Sequence, residues 1–135
     1  FPICRRQLPL LDQMVSALVG DLADRGLDKD VAVVMWGEFG RSPKIYFEPG
    51  KKSAGRDHHG PANFVLFAGG GLKMGQVVGE STAKAETPKT TPIGPQDLMA
   101  TIFHVLGLPQ DLHFQDPSGR PVPMVTGGKP IAELV

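Results

Sequence analysis

Two short apolar segments constrain the fold of this chain more than any other feature of its sequence. They run from Val31 to Trp36 and from Asn63 to Ala68. Both are short for helices and are rich in β-branched or aromatic residues, which favours strands. A strand with apolar side chains on both faces is typical of a parallel sheet covered on both sides. The segments therefore predict neighbouring central strands of an α/β fold, with a mainly parallel sheet flanked by helices.

The segment before the first predicted strand has the apolar spacing of an amphipathic helix between residues 7 and 25. Its apolar side chains recur at steps of three and four residues: Leu8, Leu11, Val15, Leu18 and Leu22. Polar residues occupy the other positions, so one face is expected to pack on the sheet. Gly26 is a typical helix stop, because glycine readily adopts the left-handed conformation.

A second helix is predicted near residues 95 to 106. Pro95 suits a first helical position, and Leu98, Ile102 and Val105 recur on one face. Short strands are also expected at residues 76 to 79 and 122 to 125. The 135 residues are expected to form a single domain.

Charge and cysteine content exclude some classes of protein. Lys plus Arg and Asp plus Glu both number 14, so the net charge is zero. This balance argues against a protein whose main partner is nucleic acid or an anionic membrane, because such partners require a basic surface. No apolar stretch is long enough to predict a membrane span. With the single cysteine Cys4, neither an internal disulfide nor a thiolate zinc site is expected.

A long segment without apolar periodicity, from Gly37 to Pro61, is predicted to be a surface loop. Glu38 and Arg41 follow the first predicted strand, where α/β proteins commonly place ligand-binding groups. A carboxylate there suits a divalent metal, and an arginine suits an oxyanion. An exposed Glu and Arg at a turn is an equally good interpretation of this spacing.

The same loop contains a second polar motif, Asp57, His58 and His59, bounded by Gly55 and Gly60. Oxygen and nitrogen donors of this kind bind zinc or manganese. Adjacent side chains can reach one ion only where the backbone is irregular, and the flanking glycines permit such a backbone. An exposed polar loop or a hydrogen-bonded histidine pair is the alternative interpretation.

The motifs, taken together, resemble a known family. The matching segments are residues 33 to 45, 55 to 58, 64 to 71, 73 to 79, 91 to 98 and 119 to 123. In this order they are similar to the C-terminal region of the family called domain of unknown function 1501. The resemblance begins near Leu8 and extends to the end of the chain. It implies an alkaline phosphatase-like and sulfatase-like α/β fold, of which this chain is the C-terminal part.

The resemblance also implies a chemistry. Relatives in that superfamily hydrolyse phosphate or sulfate esters with one or two metal ions, which here implies a divalent cofactor such as zinc, manganese, calcium or magnesium. The expected metal ligands are Glu38, Asp57 and His58. Arg41 and Arg56 are expected to bind the ester oxyanion. His59 is expected to lie beside the metal ligands and support them. The nucleophile and the family's Trp-Asp-Thr-His segment have no counterpart in this chain, so no catalytic residue is assigned.

The leading functional hypothesis is therefore a part of a metal-dependent hydrolase of phosphate or sulfate esters, with an incomplete site in this chain. The expected partners are a small-molecule or saccharide ester and the upstream part of a longer parent chain. A periplasmic or extracellular location is suggested by the export signals common in the family. The alternative is a non-catalytic binding or scaffold domain that retains the fold.

Overall fold

The computed structural model describes residues 1–50 and 52–135, which contain two helices and eight short strands. The helices are α1 (Pro2–Asp24) and α2 (Pro95–Val105). The strands are β1 (Ala32–Trp36), β2 (Gly40–Arg41), β3 (Tyr46–Phe47), β4 (Ala54–Gly55), β5 (His58–His59), β6 (Val65–Gly69), β7 (His113–Gln115) and β8 (Pro121–Pro123).

The predicted parallel sheet was wrong. Within the described residues the strands form four separate two-stranded antiparallel sheets, and none is parallel. The two apolar segments are neighbours, since β1 pairs with β6 from Ala32 opposite Gly69 to Trp36 opposite Val65. Neither is a central strand as predicted, because within the described residues their sheet has only these two strands. An apolar run indicates that a strand is shielded, but it carries no information on the direction of its partner. The direction depends on the path of the chain between the two strands.

That path also corrects the expected long loop between residues 37 and 61. The segment contains β2 to β5, of which β2 pairs with β5 and β3 with β4. These pairings nest inside the pairing of β1 with β6, as in one long antiparallel ribbon whose hydrogen-bond ladder is interrupted twice. A ribbon of this kind returns the chain antiparallel to β1, which explains the direction of β6.

Helix α1 confirms the amphipathic segment and extends it towards the N-terminus. Its C-terminal end lies at Asp24, and Gly26 follows with a φ of 69°, as its role as a stop predicts. None of the residues of α1 is fully buried. Val15 and Leu22 of the predicted apolar face are half-buried, as is the neighbouring Val19, and the other helix residues are exposed. The helix therefore contacts the rest of the chain mainly through its C-terminal half.

Helix α2 and the C-terminal tail contain most of the buried side chains. These are Leu98, Ala100, Thr101 and Phe103 of α2, and Leu72, Ile131 and Leu134 outside it. The backbone N–H of Ile131 donates to Thr101 Oγ1 over 2.9 Å, and this hydroxyl donates to the carbonyl of Asp97 over 2.7 Å. The hydroxyl thus fastens the tail to the helix without leaving a buried polar atom unpaired.

The two weaker strand predictions had different outcomes. Residues 76 to 79 form no strand. The strand expected at residues 122 to 125 is displaced towards the N-terminus as β8, which pairs with β7. Neither described helix has the length and apolar character needed to cross a membrane.

Candidate functional site

The two polar motifs of the sequence meet where β2 pairs with β5. Gly40 lies opposite His59, and Arg41 lies opposite His58. The ladder is continued by the N–H of Ser42, which donates to the carbonyl of Asp57 over 2.9 Å. Because β2 begins four residues after the end of β1, both motifs lie beyond the carboxyl end of β1. The antiparallel ribbon produces this meeting, because it returns residues 57 to 59 alongside residues 40 to 42.

One face of this short ladder contains an aromatic ring between two other groups. Phe39 lies in a bend directly before β2, and Arg41 is the last residue of β2. The rings of Phe39 and His58 have centroids 3.9 Å apart and planes inclined by 31°. The guanidinium carbon of Arg41 lies 5.7 Å from the centroid of Phe39, within the range of a cation–π interaction.

The two arginines assigned to an oxyanion, Arg41 and Arg56, are close to each other and hold each other's backbone. Arg41 Nη1 donates to the carbonyl of Arg56 over 3.3 Å, and Arg56 Nη2 donates to the carbonyl of Arg41 over 3.4 Å. Arg56 Nε also donates to the carbonyl of Ser42. Neither guanidinium forms an ion pair with a carboxylate in the described part of the chain. Two positive charges and several free donors therefore face solvent together.

His59 points away from His58, because consecutive residues of a strand face opposite sides. Its Nε2 donates to the carbonyl of Glu86 over 2.6 Å, which ties β5 to the loop that contains Glu86. The two imidazoles therefore do not converge on one point, and the role of His59 visible here is to connect two segments.

Asp57 interacts with Tyr46, a residue that the sequence did not single out. A hydrogen bond with Asp57, followed by the negative charge of the same carboxylate, raises the pKa of Tyr46 above its ordinary value of 10.0. The pairing of β3 with β4 places Tyr46 opposite Gly55, and a Cβ on Gly55 would lie 3.8 Å from the tyrosine ring. The ring thus covers Gly55 and brings its hydroxyl towards Asp57.

Asn63 and Gly40 determine how closely the two sides of the ribbon approach. Asn63 Nδ2 donates to the carbonyl of Gly37 over 2.6 Å, just beyond the end of β1. A Cβ on Gly40 would lie 1.8 Å from the carbonyl oxygen of Ala62. Only glycine fits at this position, and its absent side chain lets residues 37 to 42 lie against residues 57 to 63.

The described residues do not form a metal site by themselves. They include no group of three or more His, Cys, Asp or Glu side chains placed to hold an ion together. Glu38, Asp57 and His58, the three predicted ligands, are all exposed.

Sequence reasoning missed Phe39 and Tyr46. Phe39 had a usable signal, because it lies inside the first polar motif, between Glu38 and Arg41. Tyr46 had none, since its proximity to Asp57 depends on the return path of the ribbon.

The sequence profile of a family described as "Protein of unknown function (DUF1501)" matches residues 3–135. No curated protein and no solved structure matches the chain.

Proposed function

Because the chain belongs to the DUF1501 family, we propose that it forms part of an alkaline phosphatase-like and sulfatase-like hydrolase of phosphate or sulfate esters. Within this proposal its own contribution is to bind the anionic group of the ester. The resemblance of its motifs to that superfamily supports the reaction class, and the β2–β5 ladder supports the anion-binding role.

The pair of arginines carries the proposal, because neither guanidinium forms an ion pair with a carboxylate among the residues that the structure describes. Arg41 and Arg56 each use part of their guanidinium to hold the other's backbone, and the remaining donors are exposed. Arginine binds phosphate and sulfate oxygens well, because its planar group presents several donors in a fixed geometry. The interlocked backbone holds the two side chains near one another before a ligand arrives, which lowers the entropic cost of binding.

A metal would require more ligands than this chain brings together. Glu38, Asp57 and His58 stay the proposed ligands of a divalent ion such as zinc, manganese, calcium or magnesium. Since they do not form a complete set among the described residues, we assign no step of the reaction to an ion bound by this chain alone. We propose that the nucleophile and the remaining ligands come from the upstream part of a longer parent chain.

The incomplete ligand set also favours the second candidate, a binding or scaffold domain. In that case the arginine pair binds an anionic group and no ester is cleaved. The two candidates share the anion site and differ in turnover, so anion binding and ester hydrolysis have to be measured separately.

Anion binding is tested by titrating the chain with inorganic phosphate and with sulfate at low salt, followed by amide chemical shifts. We expect Arg41→Ala and Arg56→Ala each to weaken binding about tenfold, the typical loss for one charged hydrogen-bond donor. Arg25→Ala is the matched control, because Arg25 pairs with Asp21 on α1. Unchanged affinity in both site variants would contradict the proposal.

Turnover is tested with aryl phosphate and aryl sulfate esters in the presence of each divalent metal. We expect little hydrolysis by this chain, and metal-dependent hydrolysis by a longer natural chain that contains it and loses activity on His58→Ala. A longer chain that binds phosphate but cleaves none of the esters would favour the scaffold candidate.

A further inference from the structure

The side chain of Phe39 occupies a position that links two functional groups. It is half-buried and contacts the His58 ring, while the Arg41 guanidinium lies over the Phe39 ring. Arg41 and His58 are themselves cross-strand partners. A single aromatic ring therefore contacts one residue of each polar motif.

The ring adds a second restraint to the Arg41 side chain, which also donates to the carbonyl of Arg56, and it restrains the His58 ring. Arg41 and His58 are both exposed and neither forms an ion pair in the described part of the chain. A long exposed side chain that becomes ordered only on binding lowers affinity through lost rotamer freedom. The face of an aromatic ring attracts a guanidinium and stacks with an imidazole, whereas an aliphatic side chain of similar size offers only dispersion.

We propose that Phe39 is the positioning residue of the anion site, holding the Arg41 guanidinium in the orientation that meets a phosphate or sulfate group and fixing the His58 ring beside it. The inference rests on the proposed anion-binding function and adds a residue that acts through its neighbours. Phe39 itself offers no hydrogen bond to the anion. Its effect is to keep Arg41 ordered before the anion binds.

The experiment compares the unmodified chain with Phe39→Leu and Phe39→Tyr in the same phosphate titration. We expect Phe39→Leu to weaken phosphate binding roughly three- to tenfold, the penalty for ordering one long side chain. Phe39→Tyr keeps the aromatic face and is expected to retain the affinity. Phe114→Leu in β7 is the matched control and should have no effect, because Phe114 lies outside the ladder.

A second measurement tests the contact between Phe39 and His58 in the unmodified chain as well as in the variants. In the unmodified chain, the ring protons of His58 should resonate upfield of those of His104, because they lie against the face of Phe39. The upfield shift should disappear in Phe39→Leu and persist in Phe39→Tyr. Equal shifts for His58 and His104 in the unmodified chain would overturn the proposal.

The arginine variant separates this inference from the function on which it rests. If Arg41→Ala weakens phosphate binding and folded Phe39→Leu does not, Phe39 has no positioning role and the anion site stands. If Arg41→Ala and Arg56→Ala leave the affinity unchanged, or the unmodified chain binds neither phosphate nor sulfate, the anion site and the role of Phe39 both fail.

Discussion

Asp97 shows how one side chain joins distant parts of the molecule. One carboxylate oxygen accepts the N–H of Gly94 over 2.8 Å at the start of α2, and the other accepts the N–H of Lys129 over 2.9 Å. The hydrogen bond from Gly94, followed by the smaller effect of the bond from Lys129, holds the pKa of Asp97 below its ordinary value of 3.8. A helix that starts at Pro95 has Asp97 in its first turn, but the bond of Asp97 to residue 129 depends on the path of the tail.

Asp97→Asn is expected to reduce the pH dependence of stability. Since the folded pKa is lowered, the carboxylate stabilises the fold fully above about pH 4 and loses this effect as the pH falls through the folded pKa. Asparagine has one carbonyl oxygen and keeps at most one of the two bonds. The free energy of unfolding, measured by denaturant titration from neutral pH to pH 2, should differ most between the two chains at neutral pH.

The control for this experiment is Asp12→Asn, an exposed substitution on α1. We expect it to change the free energy of unfolding at neutral pH by less than about 0.5 kcal/mol. A constant difference between Asp97→Asn and the unmodified chain at every pH would show that the carboxylate charge is not involved.

At the level of elements, the nested ribbon from β1 to β6 is what assembles the candidate site. It pairs Arg41 with His58 and Gly40 with His59, which are separated by 17 and 19 positions in the sequence. The two motifs therefore lie on opposite strands of one ladder. The ladder also decides the face of each side chain. His58 lies against Phe39, and His59 reaches the carbonyl of Glu86.

Gly40→Ala is expected to disrupt this ladder. The new methyl group would overlap the carbonyl oxygen of Ala62, which belongs to the backbone and cannot rotate away. Overpacking of this kind typically costs about 1–3 kcal/mol. Amide hydrogen exchange should show lost protection at Ser42, whose N–H bonds to the carbonyl of Asp57.

Gly60→Ala provides the matched control for the ladder. A Cβ at Gly60 would meet no other atom within 4 Å, so this variant should keep both the protection of Ser42 and the phosphate affinity. Retained protection of Ser42 in Gly40→Ala would show that β2 and β5 are not held as closely as the structure indicates.

For the whole molecule, fully buried apolar side chains are concentrated around α2 and the tail. Leu72, Ile131 and Leu134 form one cluster, with Phe67 of β6 and Val105 of α2 packed against it. Helix α1 contributes no buried residue, although its apolar periodicity is clear. The stability of the described fold is therefore expected to depend much more on α2 than on α1.

Phe103→Ala should reveal this distribution when compared with Phe64→Ala. The side chain of Phe103 is 5% exposed and that of Phe64 is 74% exposed. We expect the first substitution to cost about 3–5 kcal/mol through lost burial and the cavity left behind. The second should cost less than about 0.5 kcal/mol. Denaturant unfolding of both variants measures the difference, and similar losses for the two would contradict the location of the core.

What the sequence determined by itself is local. The spacing of leucines and valines predicted α1, Gly26 marked its end, and Pro95 marked the start of α2. The short apolar runs identified β1 and β6 as strands. Each of these features depends on residues within a few positions of one another, so backbone preferences and side-chain periodicity are enough to specify them.

Tertiary structure alone decided the direction of β6 and the composition of the candidate site. Burial on both faces of a strand is compatible with a parallel or an antiparallel partner, so the apolar runs left the direction open and the parallel prediction failed. Phe39 beside His58 and Tyr46 beside Asp57 depend on a register between segments far apart in the chain. Such a register is set by the return path of the ribbon and by close contacts such as that of Gly40 with Ala62, which no local pattern encodes.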